Sequence, residues 1–209
     1  MALDNYANLK ASIETWSHRE DVKAIIDDFI LLAESAMYSN PDASLRIRDM
    51  EQTATASTII TDDFVALPTG YLDFRRVSIT VNDVEYPLEY KTPEQMNIDT
   101  TRSGIPQYFT IIDKIYFELL PDDVYTINMD YYGKLTALSA SNTTNAILTN
   151  YPGIYLYGAL TALEQWAASP ENEALNYNRF IKTISGANKT SNKGRFSPRP
   201  VQRLRSATP

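Results

Sequence analysis

The chain has 209 residues, no cysteine, one histidine and a formal charge of −7. That length is ample for a real core in one domain or two connected ones. The missing cysteine excludes disulfides, thiolate zinc sites and a cysteine nucleophile, and the lone histidine excludes a multi-histidine metal centre within one chain. The opening MALDNYANLK has neither the basic nor the apolar region of a signal peptide. No run of 18 apolar residues is present to span a membrane. Tyrosine supplies 14 residues and dominates the aromatics, which favours surfaces that bury against partners.

Tyr6, Leu9, Ile13 and Trp16 fall at spacings of three and four, one face of an amphipathic helix with Asp4 as its N-cap. Ser17-His18-Arg19-Glu20 reads as a capping box that starts a second helix. Val22, Ile25, Ile26, Phe29, Leu32, Ala33 and Ala36 form its apolar stripe, with Asp27, Asp28 and Glu34 on the polar side and Asn40-Pro41 as its stop. His18 then sits in a first helical turn with no serine or aspartate partner identifiable for it.

The middle alternates with period 2. Val77, Ile79 and Val81, then Val84, Tyr86, Leu88 and Tyr90, flank Asn82-Asp83 and predict a hairpin whose second strand is an edge strand at Pro87. Ile115, Phe117 and Leu119, then Tyr125, Ile127, Met129 and Tyr131, predict a second hairpin across Pro121-Asp122-Asp123. Residues 107–112 predict a strand turning into Lys114 at Asp113, and residues 46–58 and 64–67 are weaker strand candidates. Residues 93–98 read as a short helical turn.

Helix signals return after about Asn150. Pro152 suits a first turn, and residues 154–168 are apolar nearly all round, the pattern of a helix buried among others. Gly158 and Ala159 admit a close neighbour. Ser169-Pro170 opens a last helix with the stripe Ala174, Tyr177, Ile181 and Ile184, ended by Gly186. Two helix pairs far apart in sequence bury their faces most simply against each other. The fold class is therefore α+β: a helical bundle of residues 1–45 and 139–186, an inserted antiparallel sheet module at 46–138, and an extended C-terminal arm at 187–209.

No phosphate loop, HExxH, EF-hand or G-x-S-x-G pattern occurs. Asp27-Asp28, Asp62-Asp63 and Asp122-Asp123 are adjacent pairs, which diverge on a helix and point oppositely on a strand, so none makes a paired carboxylate site by itself. No catalytic residue, metal ligand or cofactor is expected. Charge is the informative feature. Residues 187–209 carry six basic and no acidic residues, leaving a body of −13 with a tail of +6. Such a segment does not bury enough apolar surface to offset its ordering entropy alone. It reads either as a solvated, disordered terminus or as an arm that orders on a partner; as an arm, its expected partner-binding residues are Lys193, Arg195, Phe196, Arg199, Val201, Arg203, Leu204 and Arg205, with an acidic protein surface as their target. The acidic body disfavours binding of the tail to nucleic acid.

Several motifs in order carry a resemblance: Trp16-Ser-His-Arg-Glu-Asp21, Phe29-Ile-Leu-Leu-Ala-Glu34, Leu67-Pro-Thr-Gly-Tyr-Leu72, Gly104-Ile-Pro106 with Tyr108-Phe109, and Tyr151-Pro152 with Tyr155-Leu-Tyr-Gly-Ala-Leu160. Over residues 5–185 the chain resembles the head-to-tail connector (adaptor, head-completion) proteins of tailed bacteriophages, the short-tailed type above all. The resemblance implies a non-enzymatic virion protein at the head-tail interface, assembled in the host cytoplasm. It implies a homo-oligomeric ring, usually of twelve copies, that docks on the portal protein. Such a ring extends the DNA channel without binding DNA specifically and presents a platform for the tail or nozzle protein. A terminal segment commonly grips the portal, and residues 191–208 suit that role. Two other classes stand beside it: a tail-associated module that recognises glycans, and a tail-associated cell-wall hydrolase.

Overall fold

The computed structural model describes residues 3–193. Among them the chain is α+β, with five α-helices and ten strands. It divides into two units. The helical unit combines the two chain ends, up to Asp49 and from Ala137 on, and the sheet unit is Met50–Thr136.

In the helical unit, α1 (Tyr6–Ser17) is capped by Asn5, whose side chain accepts from the Asn8 amide, and not by Asp4. Leu9 and Ile13 are buried, while Trp16 is half exposed. The capping box does not form. Ser17 bonds back to the Glu14 carbonyl at 3.0 Å, and His18 closes α1 in the left-handed region at φ 53°. The chain then turns through residues 19–25, and α2 is Ile26–Ser39. Its buried face is Ile26, Phe29, Ile30, Ala33, Glu34 and Met37. Leu32 of the expected stripe is exposed, and the carboxylate expected on the polar side, Glu34, is inside.

A short helix, α3 (Ala146–Asn150), precedes α4 (Pro152–Trp166), which opens with proline in its first turn. A Cβ on Gly158 would come within 2.9 Å of the Ala33 Cβ and 3.0 Å of the Phe180 ring, so glycine admits both neighbours. The last helix, α5 (Pro170–Asn192), starts where Ser169-Pro170 predicts and runs past Gly186. Residues 187–192 are thus helical, not extended. The reason lies in the stripe, which is Asn176, Phe180, Ile184 and Ala187 in place of Ala174 and Tyr177. Each buried large side chain there contributes roughly 1.5–3 kcal/mol. A solvent-facing glycine costs a helix only about 1 kcal/mol, so Gly186 does not stop it.

The sheet unit holds three sheets. The first joins β1 (Glu51–Ser57), β10 (Thr126–Gly133), β3 (Tyr71–Val81) and β4 (Val84–Pro87) in that order, all antiparallel. Asn82 and Asp83 both take positive φ in the β3–β4 turn, and Pro87 lies on the edge strand, as the pattern predicts. The second sheet joins β2 (Phe64–Val65), β8 (Ile115–Phe117), β7 (Tyr108–Ile111) and β5 (Glu89–Tyr90); the β7–β8 hairpin turns at Asp113, but β5 pairs with β7 in parallel. The third is a parallel pair, β6 (Asp99–Gly104) and β9 (Leu119–Pro121). The module is therefore mixed and not purely antiparallel.

The hairpin expected across Pro121–Asp123 is absent. β8 and β10 share no ladder. β10 leaves for the first sheet, where it lies between β1 and β3, strands of seven and eleven residues. Alternation fixes which face of β10 is buried, namely Ile127, Met129 and Tyr131, but not its partner. The core gathers Val77, Ile79, Phe109, Ile115, Phe117, Ile127 and Met129. Phe74, Tyr90 and Phe109 stack with centroids 5.0–5.5 Å apart. Of the weaker candidates, Arg46 and Ile47 are outside any strand, and Arg48–Met50 is a 3-10 turn. Residues 92–96 form a turn.

Candidate assembly surfaces

The end of α5 is fastened to the segment before the sheet unit. Asn188 accepts from the Arg46 amide at 2.8 Å and donates to the Ser44 carbonyl at 2.9 Å. The Ser191 hydroxyl accepts from the Arg48 amide at 2.6 Å, and its carbonyl accepts from the Arg48 guanidinium at 3.2 Å. Side chains here satisfy the backbone of a segment with no ladder of its own. Of the sequence-predicted partner-binding residues, Lys193 caps this helix and is exposed. Arg195, Phe196, Arg199, Val201, Arg203, Leu204 and Arg205 lie outside the described residues.

Five carboxylates accept from tyrosine. Tyr6 donates to Asp27 at 2.8 Å, Tyr116 to Asp113 at 2.9 Å, Tyr125 to Asp122 at 2.7 Å, and Tyr155 to Glu34 at 2.9 Å; Tyr177 donates to Asp42. Each bond favours the protonated phenol. Burial, then Asp27, pushes Tyr6 up to about 12. The Asp122 bond, then burial, pushes Tyr125 up to about 12. Burial above all raises Tyr155. These are the opposite of shifts that would arm a base or nucleophile near neutral pH. Asp27 is held below the usual carboxylate range, first by its bond to Lys10.

The described residues contain no cluster of three or more metal-ligating side chains. No helix among them is long and apolar enough to cross a membrane. His18 is exposed at the end of α1. On the open face of the first sheet, charges are internally matched. Arg76 pairs with Glu85 at 3.0 Å, Arg75 with Glu51 at 2.7 Å, and Thr53 donates to Asp130 at 2.9 Å. A groove of about 500 Å³ runs along Tyr86, Pro87, Ile105 and Tyr108 in the sheet unit. Trp16 and Trp166, 46% and 53% exposed, lie on the helical unit; Arg19 sits 5.1 Å over the Trp166 ring.

One buried residue organises two loops. Thr58, 2% exposed, accepts from the Tyr125 amide at 2.8 Å and donates to the Asp123 carbonyl at 3.1 Å. Its own amide donates to the Tyr125 carbonyl at 2.9 Å. Loops 58–63 and 122–125 are thereby locked side by side, presenting Ile59, Ile60 and Val124 at 50–60% exposure beside Asp62, Asp122 and Asp123. Neither Thr58 nor Asn188 stands out in sequence, because a lone Thr or Asn carries no periodic signal.

The family model of the SU10 adaptor protein matches residues 4–203. The chain belongs to the SU10 adaptor protein family. This agrees with the resemblance to phage head-to-tail connectors, and it makes the chain a phage adaptor, hence a virion component that contacts other head or tail components. No curated protein matches the chain. Adaptor membership also accords with a structural role and not a catalytic one.

Proposed function

We infer that this adaptor assembles as a homo-oligomeric ring of twelve copies between the portal and the tail. The ring docks on the portal protein, continues the DNA channel without specific DNA binding, and receives the tail or nozzle protein below. In each copy the helix pairs of the two chain ends form the bundle, residues 46–138 the inserted module, and the C-terminal residues an arm. Lys193, Arg195, Phe196, Arg199, Val201, Arg203, Leu204 and Arg205 grip an acidic portal surface, the apolar three as anchors. Assembly takes place in the host cytoplasm, and the protein performs no catalysis.

The observation that carries this reading is the family match over nearly the whole chain. The charge split supports it, since an acidic body lets DNA pass and a basic tail seeks a protein surface. Electron microscopy of the full chain mixed with its cognate portal tests it: twelve-fold density on the portal is expected, and a bare portal at saturating protein sinks the reading.

The groove flanked by Tyr86 and Tyr108 favours a second reading, glycan recognition within a tail assembly. Binding on a glycan array that a Tyr86→Ala change abolishes is its test.

A further inference from the structure

The charge of this chain is segregated more sharply than a tail on a body. The sheet unit, Met50–Thr136, holds 14 acidic and six basic residues. From residue 174 to the end there are eight basic residues and no acidic one. Part of that basic stretch is ordered helix. Lys182, Lys189 and Lys193 are spaced by seven and four, so they share one face of α5, opposite Phe180, Ile184 and Ala187. All three are exposed, and none pairs with a carboxylate among the described residues. Contrast Arg75 and Arg76, both ion-paired. Between the lysines lies Gly186, where an added Cβ would meet nothing within 4 Å. The face is thus a flat, small-residue strip bordered by cations.

The loop pair locked by Thr58 has the complementary chemistry. Asp62, Asp122 and Asp123 have no cationic partner among the described residues. Ile59, Ile60 and Val124 stand out beside them in a geometry fixed by three hydrogen bonds. Exposed β-branched residues ringed by aspartates fit a partner that is both basic and free of protruding side chains.

Both halves occur in every copy, one in each unit. We propose that the loop pair of one copy docks on the Lys182–Lys189 face of α5 in a second copy, with the aliphatic tips seated over Ser185 and Gly186. Such a contact is heterologous, and heterologous contacts close into rings when the rotation permits. The inference rests on the ring reading above and names the surfaces that close it. Attraction between exposed charges is screened by salt, so the contact weakens as ionic strength rises.

The test uses two charge-reversed full-length proteins. One carries Asp122→Lys with Asp123→Lys; the other carries Lys182→Glu with Lys189→Glu. Thermal melts confirm that each folds; the second pair lies on an exposed helix face and reports even if the loop variant does not fold. Wild type and variants are mixed with cognate portal and imaged. Each variant alone is expected to lose the ring. An equimolar mixture is expected to restore it, because the copies alternate with opposite charges facing. In wild type made from light and heavy isotope batches, a carbodiimide is expected to join a lysine of one batch to an aspartate of the other at these positions. Rings from either variant alone, or mixed-isotope cross-links mapping elsewhere on a normal ring, overturn this contact and leave the adaptor reading standing. A wild-type portal that stays bare overturns both. Retention of duplex DNA that Lys182→Glu with Lys189→Glu abolishes assigns the lysine face to phosphate and overturns the proposal.

Discussion

The Tyr155 hydroxyl donates to the Glu34 carboxylate at 2.9 Å in the interior of the helical unit, joining α4 to α2. The same carboxylate oxygen accepts from the Leu138 amide at 2.8 Å, one residue after the chain re-enters this unit at Ala137. Asn145 donates to the Tyr155 oxygen at 2.7 Å and caps α3 with its carbonyl. One buried acid thus holds a helix and a returning segment together. Replacing Tyr155 by Phe leaves Glu34 and Asn145 each short of a partner. A loss of about 1–3 kcal/mol in urea unfolding is expected; an unchanged midpoint would show that the bond contributes nothing.

Alkaline pH tests the same tyrosine. Its phenol lies above the ordinary 10.0, first because it is buried. The folded chain therefore keeps a proton that the unfolded chain releases. This contribution is complete below about pH 10 and declines as pH rises beyond it. Tyr6, pushed up to about 12, acts in the same direction. Urea melts between about pH 9 and pH 11 should fall more steeply for wild type than for Tyr155→Phe. Parallel slopes would contradict the assignment.

Two glycines should respond with opposite sign. Gly158→Ala would drive a methyl into Ala33 and Phe180. Overpacking of this kind costs about 1–3 kcal/mol. Gly186→Ala meets open space within a helix and should gain about 0.5–1 kcal/mol. Thermal melts of both variants decide it, and stabilisation at position 158 would refute the packing described.

Thr58→Val removes the hydroxyl that serves the Tyr125 amide and the Asp123 carbonyl. A loss of about 1–3 kcal/mol is expected. Amide exchange at Tyr125 should accelerate while exchange in the helical unit stays as it was. Uniform acceleration would mean that the loops are not locked locally.

The point of truncation matters. Ending the chain at Gly186 removes buried Ala187 and the bonds of Asn188 and Ser191, so stability should drop. Ending it after Lys193 keeps all of them, and the melting temperature should match that of the full chain. If the two truncations melt alike, the Asn188 clasp is not structural.

Helix existence was legible in sequence wherever apolar spacing ran long, as in α4 and α5. Boundaries were less so, because competing local bonds decide them. Ser17 reads as the start of one helix, but its hydroxyl finds the Glu14 carbonyl and completes the preceding one. Gly186 reads as a stop, but Ile184 and Ala187 keep the helix on the core. The Asn82-Asp83 hairpin was readable because its turn needs two residues at positive φ. The partners of β10 were not, since β1 lies about seventy residues away and no local rule links Ala54 to Met129. Membership of a connector family was visible in ordered motifs such as Leu67-Pro-Thr-Gly-Tyr-Leu72. The loop pair was not, because residues 58–63 and 122–125 meet only on folding; the lysine face was hidden by reading Gly186 as the end of the helix.

The clasp at the end of α5 also sets a mechanical order. A pull on the chain beyond Lys193 reaches the Ser191 and Asn188 bonds to residues 44–48 before it reaches Ala187, Ile184 and Phe180 in the core. Tension on the C-terminus is therefore borne first by a renewable set of polar links. The hydrophobic interior is strained only after those links have failed.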